Sequence, residues 1–68
     1  MILVVEIEQE VDGRWIAEIG ALPGVMAYGK TAGEAQGKVQ ALALRVLADR
    51  IEHGEAGTDL LNITFEAA

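Results

Sequence analysis

The stretch Leu22–Ala35, LPGVMAYGKTAGEA, leaves the chain few ways to fold. Proline fixes φ and glycine tolerates a positive φ, so Leu22-Pro23-Gly24 reads as a turn. Val25 to Tyr28 is a short apolar run, expected as a strand ended by Gly29. Thr31 then opens a T-x-x-E capping box with Glu34: the hydroxyl accepts from the Glu34 N–H and the carboxylate reaches back to the Thr31 N–H. Glu34 also places negative charge at the positive end of the helix dipole. A strand must therefore hand over to a helix within a few residues.

Upstream, Ile2 to Gln9 is rich in β-branched residues and reads as a strand. Leu3, Val5 and Ile7 share one face, with Ile2, Val4, Glu6 and Glu8 on the other. A second strand, Arg14 to Ile19, alternates Trp15, Ala17 and Ile19 against Arg14, Ile16 and Glu18. Asp12-Gly13 marks the hairpin between them. A two-residue turn there would pair Ile7 with Glu18 and set apolar residues of one strand on the charged face of the other. A three-residue loop, Val11-Asp12-Gly13, instead pairs Glu10 with Arg14, Ile7 with Ala17 and Val5 with Ile19. It keeps one face apolar and gives Gly13 the left-handed position of a bulged loop.

Downstream, Ala35, Val39, Leu42, Ala43, Val46, Leu47 and Ile51 recur at helical spacing. Arg50 and His53 fall in the last turn, where positive charge is favoured, and Gly54 is a natural stop. Gly33 and Gly37 lower helix propensity by roughly 1 kcal/mol each, which suggests close packing on the sheet or on a neighbour. Ala41, Leu44 and Ala48 widen the apolar girth beyond what one sheet face needs. Glu55 to Asp59 is expected as a loop, and Leu60 to Glu66 as a last strand with Leu61, Ile63 and Phe65 inward.

The expected fold is one α+β domain over residues 1–68, of order β-β-β-α-β. A right-handed crossover sets strand four parallel to strand one, giving a mainly antiparallel four-stranded sheet of order 3-2-1-4. The helix then covers the Leu3/Trp15/Phe65 face. Ile2, Val4, Ile16, Met26, Tyr28 and Leu60 are left on the uncovered face, where they meet a partner or a second copy.

Composition narrows the function. A chain of 68 residues buries little surface for its length, yet 51% of it is apolar, so oligomerisation (dimer or tetramer) or a partner is expected to cover the surplus. Eleven acidic against five basic residues give a net charge of −6, which repels a phosphate backbone and attracts a basic partner. Without cysteine there is no disulfide framework, thiolate metal site or thiol nucleophile. The apolar run at the start is too short for a signal-peptide core or a membrane span, so a cytoplasmic protein is expected.

No catalytic constellation emerges. Glu6 facing Glu18 could hold a divalent cation or share a proton, but a solvated acidic face partly compensated by Arg14 is the simpler reading. His53 is the only histidine and is placed for a charge–dipole role. Gly24 to Thr31 spells G-x-x-x-x-G-K-T, but its four middle residues read as a strand and Thr31 as the helix cap, so the likeness to a phosphate loop is taken as accidental. Trp15 and Tyr28 read as core and rim aromatics rather than a base-stacking platform. The expectation is a non-enzyme without metal or cofactor, with Met26, Tyr28, Ile16, Leu44 and Leu60 as contact residues.

Asp12-Gly13-x-Trp15-x-Ala17-x-Ile19, Leu22-Pro23-Gly24 and Gly29-x-Thr31-x-x-Glu34-Ala35 together resemble the N-terminal domain of HicB-type antitoxins. The resemblance runs from the first hairpin through the helix. It implies a partial ribonuclease-H-like β-β-β-α-β unit that self-associates and covers a small basic RNA-cleaving toxin. It carries no catalytic carboxylate onto Glu6 or Glu18. The operator-binding segment that such antitoxins carry after this domain has no counterpart before Ala68, so operator binding is not carried over.

Overall fold

The computed structural model describes residues 1–55 and 57–68. Its elements are β1 (Ile2–Gln9), β2 (Trp15–Glu18), β3 (Met26–Gly29), α1 (Ala32–Glu52), a 3-10 turn (Thr58–Leu61) and β4 (Thr64–Ala67). The strands form one sheet in the order β3-β2-β1-β4. β1 runs parallel to β4, and the other neighbours are antiparallel. This is the α+β architecture and strand order expected from the sequence.

The first hairpin turns through the three-residue loop. Glu10 N–H donates to the Arg14 carbonyl at 2.6 Å, and Gly13 N–H donates to the Glu10 carbonyl at 3.0 Å. Gly13 has φ 92°, the left-handed conformation a bulged loop asks of glycine. Ile7 therefore lies opposite Ala17, and Glu6 opposite Glu18. β2 and β3 are both shorter or shifted relative to expectation: Arg14 and Ile19 fall outside β2, and β3 begins at Met26 and includes Gly29.

One face of the sheet and one stripe of α1 make the core. Leu3, Val5, Ala17 and Ile19 from the β1–β2 side meet Ala35, Val39, Ala43 and Leu47 of the helix, with Leu22 and Val25 closing the β2–β3 end. Leu42 and Val46 pack at its margin. The helix starts as the capping box asks on one side only: Thr31 Oγ1 accepts from Glu34 N–H at 3.0 Å. The reciprocal bond is replaced, because Glu34 Oε1 lies 3.0 Å from Lys38 Nζ one turn on. That hydrogen bond and charge hold the Glu34 carboxyl below its ordinary value. At the other end Gly54, φ 70°, completes a Schellman cap: its N–H donates to the Ile51 carbonyl and Glu55 N–H to that of Arg50.

Further expectations need correction. Ile51 is exposed because α1 is longer than the sheet beneath it. Its 21 residues extend about 32 Å, against about 26 Å for the longest strand. Gly33 and Gly37 do not pack on the sheet, since a Cβ on either would meet nothing within 4 Å. The close approach is at Gly29, where a Cβ would stand 2.5 Å from Ala35 N, so Gly29 lets the helix backbone rest on β3 as well as ending the strand. Finally, the residues expected as the start of strand four form the 3-10 turn, held by the Met1 nitrogen donating to the Asp59 and Asn62 carbonyls at 3.0 and 2.6 Å. The turn shifts the phase of the chain: Leu60 packs against the core, while Leu61 is 81% exposed. The expected loop 55–59 includes residue 56, which lies outside the described residues.

Opposite signs are expected for two glycine-to-alanine changes. Gly29→Ala forces the helix off β3 and lowers unfolding free energy by about 1–3 kcal/mol. Gly33→Ala, in open space, raises it by about 0.5–1 kcal/mol through helix propensity. Urea titration followed by far-UV circular dichroism reads both.

Candidate functional site

The sheet face away from α1 is not covered by any described element, and alternation puts it together from every strand. Its rows follow from the register. Glu8, Ile16 and Tyr28 lie side by side across β1, β2 and β3, and Glu6, Glu18 and Met26 form the next row. Towards β4, Val4 lies beside Glu66 and Ile2 beside Thr64. Met26 and Tyr28 are 45% and 42% exposed, values high for large apolar side chains, and Ile2 and Val4 are likewise exposed. The face is therefore a mosaic of apolar residues and carboxylates.

Arg14 is the cation at its margin, and the structure gives it other partners than Glu6 or Glu18. Arg14 Nε lies 2.7 Å from Asp12 Oδ2, and its backbone N–H donates to Asp12 Oδ1 at 3.0 Å. The guanidinium carbon stands 4.5 Å from the centre of the Tyr28 ring, within cation–π range. The Arg14 backbone N–H, and then its side chain, hold the Asp12 carboxyl below the ordinary carboxylate range. Both Asp12 and Glu34 have folded-state values below their unfolded ones. Whatever they add to stability is thus present above the unfolded carboxylate range and is lost as pH falls through the folded one.

Glu6, Ile7, Glu8, Ile16 and Glu18 line an open depression of about 210 Å³. Its carboxylates surround an isoleucine wall, a combination that suits the aliphatic stem and charged head of a lysine or arginine. No group of three or more Asp, Glu or His side chains among the described residues is placed to hold a metal ion. His53 Nδ1 lies 2.7 Å from the Asp49 carbonyl at the helix C-terminus, where a cation interacts favourably with the dipole. Thr31 serves as the helix cap and Trp15 packs at the core margin.

Of the contact residues expected from sequence, Ile16, Met26 and Tyr28 are brought together on this face. Leu44 is 47% exposed on the outer surface of α1, on the helix side of the molecule. Leu60 belongs to the core margin and is not on the open face. Sequence reasoning passed over Glu66, although its alternation with the inward Phe65 already puts it on the outer side. No helix among the described residues is long and apolar enough to cross a membrane.

Comparison with known proteins adds nothing to this geometry: no protein-family model, curated protein or solved structure matches the chain.

Like charges directly opposite destabilise a sheet, so Glu18→Gln is expected to raise the urea midpoint, by more at low salt than at high salt, where screening removes the advantage. In Arg14→Ala the Asp12 carboxyl loses the side-chain bond and moves upward towards the ordinary range, readable as a shifted side-chain carboxyl titration by NMR.

Proposed function

We propose that this chain is an antitoxin-like protein-binding module of a type II toxin–antitoxin system, acting by contact and not by catalysis. Its partner is a small basic RNA-cleaving toxin, which it neutralises by covering the toxin's cationic surface. The observation that carries this reading is the open sheet face, where Glu6, Glu8, Glu18 and Glu66 are interleaved with Ile2, Val4, Ile16, Met26 and Tyr28. Apolar side chains supply contact area, and carboxylates select a basic surface and speed its approach. The net charge of −6 extends the same preference to long range. Support for the toxin as the occupant comes from the sequence pattern shared with HicB-type antitoxins, from Asp12-Gly13 through Glu34-Ala35. We place it in the cytoplasm, and by the same resemblance its fold is a partial ribonuclease-H-like unit.

A second reading, an orphan homo-oligomeric interaction domain with no toxin partner, uses the middle of the helix, where Leu44 is exposed, together with the open sheet face.

The test is capture from cells of the source organism with the tagged chain, followed by assay of the captured protein. A small basic protein that cleaves RNA alone and stops cleaving when the chain is added supports the proposal. Glu6→Lys with Glu18→Lys is expected to weaken that complex at least tenfold while leaving the circular dichroism spectrum unchanged. Capture of no basic protein, or of one whose activity the chain leaves intact, refutes it.

A further inference from the structure

β3 is the last strand on its side of the sheet, and its outer edge bears no charged side chain. The hydrogen bond from Ile19 N–H to the Val25 carbonyl, 3.1 Å, fixes the parity of the β2–β3 ladder. Val25, Ala27 and Gly29 turn their main-chain groups to β2, so Met26 and Tyr28 turn theirs outward. Edge strands are ordinarily blunted by shortness, charge, proline or a bulge. Met26-Ala27-Tyr28-Gly29 is short, at four residues, but carries no charge, proline or bulge. The same two residues whose N–H and C=O groups face outward also carry exposed apolar side chains on the open face.

We infer that this edge joins a second copy of the chain, β3 to β3, antiparallel and centred on Ala27. The segment is self-complementary about that centre. Met26 lies opposite Tyr28 of the second copy, and each pair exchanges both main-chain hydrogen bonds, while the two Ala27 residues meet as the non-hydrogen-bonded pair. Charge fits this register as well. Glu18 neighbours Met26 on the inner side, and the Arg14 guanidinium lies over Tyr28. The join therefore sets each arginine about 10 Å, two strand spacings, from Glu18 of the other copy, at the limit of screening in 0.1 M salt. β4 is less suited to a symmetric join, since its edge carries Glu66. The result is one eight-stranded sheet with the two open faces continuous. This goes beyond the function proposed above and does not depend on it, because the join is made by main-chain groups of the β3 edge, although the Met26 and Tyr28 side chains border both surfaces.

The chain has no cysteine, so single introduced cysteines report the join. Ala27→Cys sets two thiols across a pair with Cα atoms about 4.5 Å apart, within disulfide reach. Most of the protein is expected to cross-link to a covalent dimer on mild oxidation at micromolar concentration, while Val4→Cys, on the same sheet but away from the edge, stays monomeric on a non-reducing gel. Sedimentation of the unmodified chain is expected to give the dimer mass, and Tyr28→Lys to give the monomer mass with its circular dichroism unchanged. A monomer mass for the unmodified chain overturns the inference. So does cross-linking of Val4→Cys as complete as that of Ala27→Cys, or a Tyr28→Lys protein that remains dimeric; the last outcome stands even if Ala27→Cys fails to fold.

Discussion

A sheet with a single helix on it has one face to hide, and the loop Val11–Gly13 decides which side chains lie there. The side-chain period of a strand is two, so a slip of one residue in the β1–β2 pairing would send Leu3, Val5 and Ile7 to the wrong face of β2. Gly13 at φ 92° lets the chain turn with three residues and keeps Ile7 opposite Ala17. The same register sets Glu6 against Glu18 on the other face. Core and acidic face are therefore two sides of one choice, in which several buried apolar pairs outweigh one repulsive pair in water.

The helix is placed by a second contact. Gly29 ends β3 and lies under the first turns of α1, with no room for a Cβ between them. Thr31, two residues on, caps the helix, so the handover from strand to helix is short and its geometry is tight. The helix stripe of Ala35, Val39, Ala43 and Leu47 then descends over the sheet in register with Leu3 and Val5. Alanine at two of these four positions suits close packing of helix on sheet, and both are fully buried.

What remains outside is unusual for a monomer of this size. Large apolar side chains stand exposed on the open face, and carboxylates lie between them. Exposed apolar patches rimmed by charge mark surfaces that meet other molecules. Arg14 does not neutralise the acidic rows, being held by Asp12 and the Tyr28 ring, so the negative field of Glu6, Glu8, Glu18 and Glu66 stays directed at solvent. A docking role for the face and a self-pairing role for the β3 edge meet at Met26 and Tyr28, whose side chains belong to the face and whose main-chain groups belong to the edge.

Much of this was legible in the residues. Periods of two and 3.6, the Asp12-Gly13 turn, the Thr31 cap and the Gly54 stop are local properties of the chain. Requiring one apolar face then decided the hairpin loop, and the right-handed crossover gave the strand order. Ile16, Met26 and Tyr28 could be put on the open face for the same reason. Local periodicity carries no information on where an element stops being covered, or on how a distant segment shifts its phase. Only the folded chain exposes Ile51 past the end of the sheet, turns Leu60 in and Leu61 out through the 3-10 turn, and holds Arg14 over Tyr28. It also makes Gly29 a contact with Ala35. Each of these depends on distances between parts of the chain that local sequence does not bring together, and so tertiary packing alone decided them.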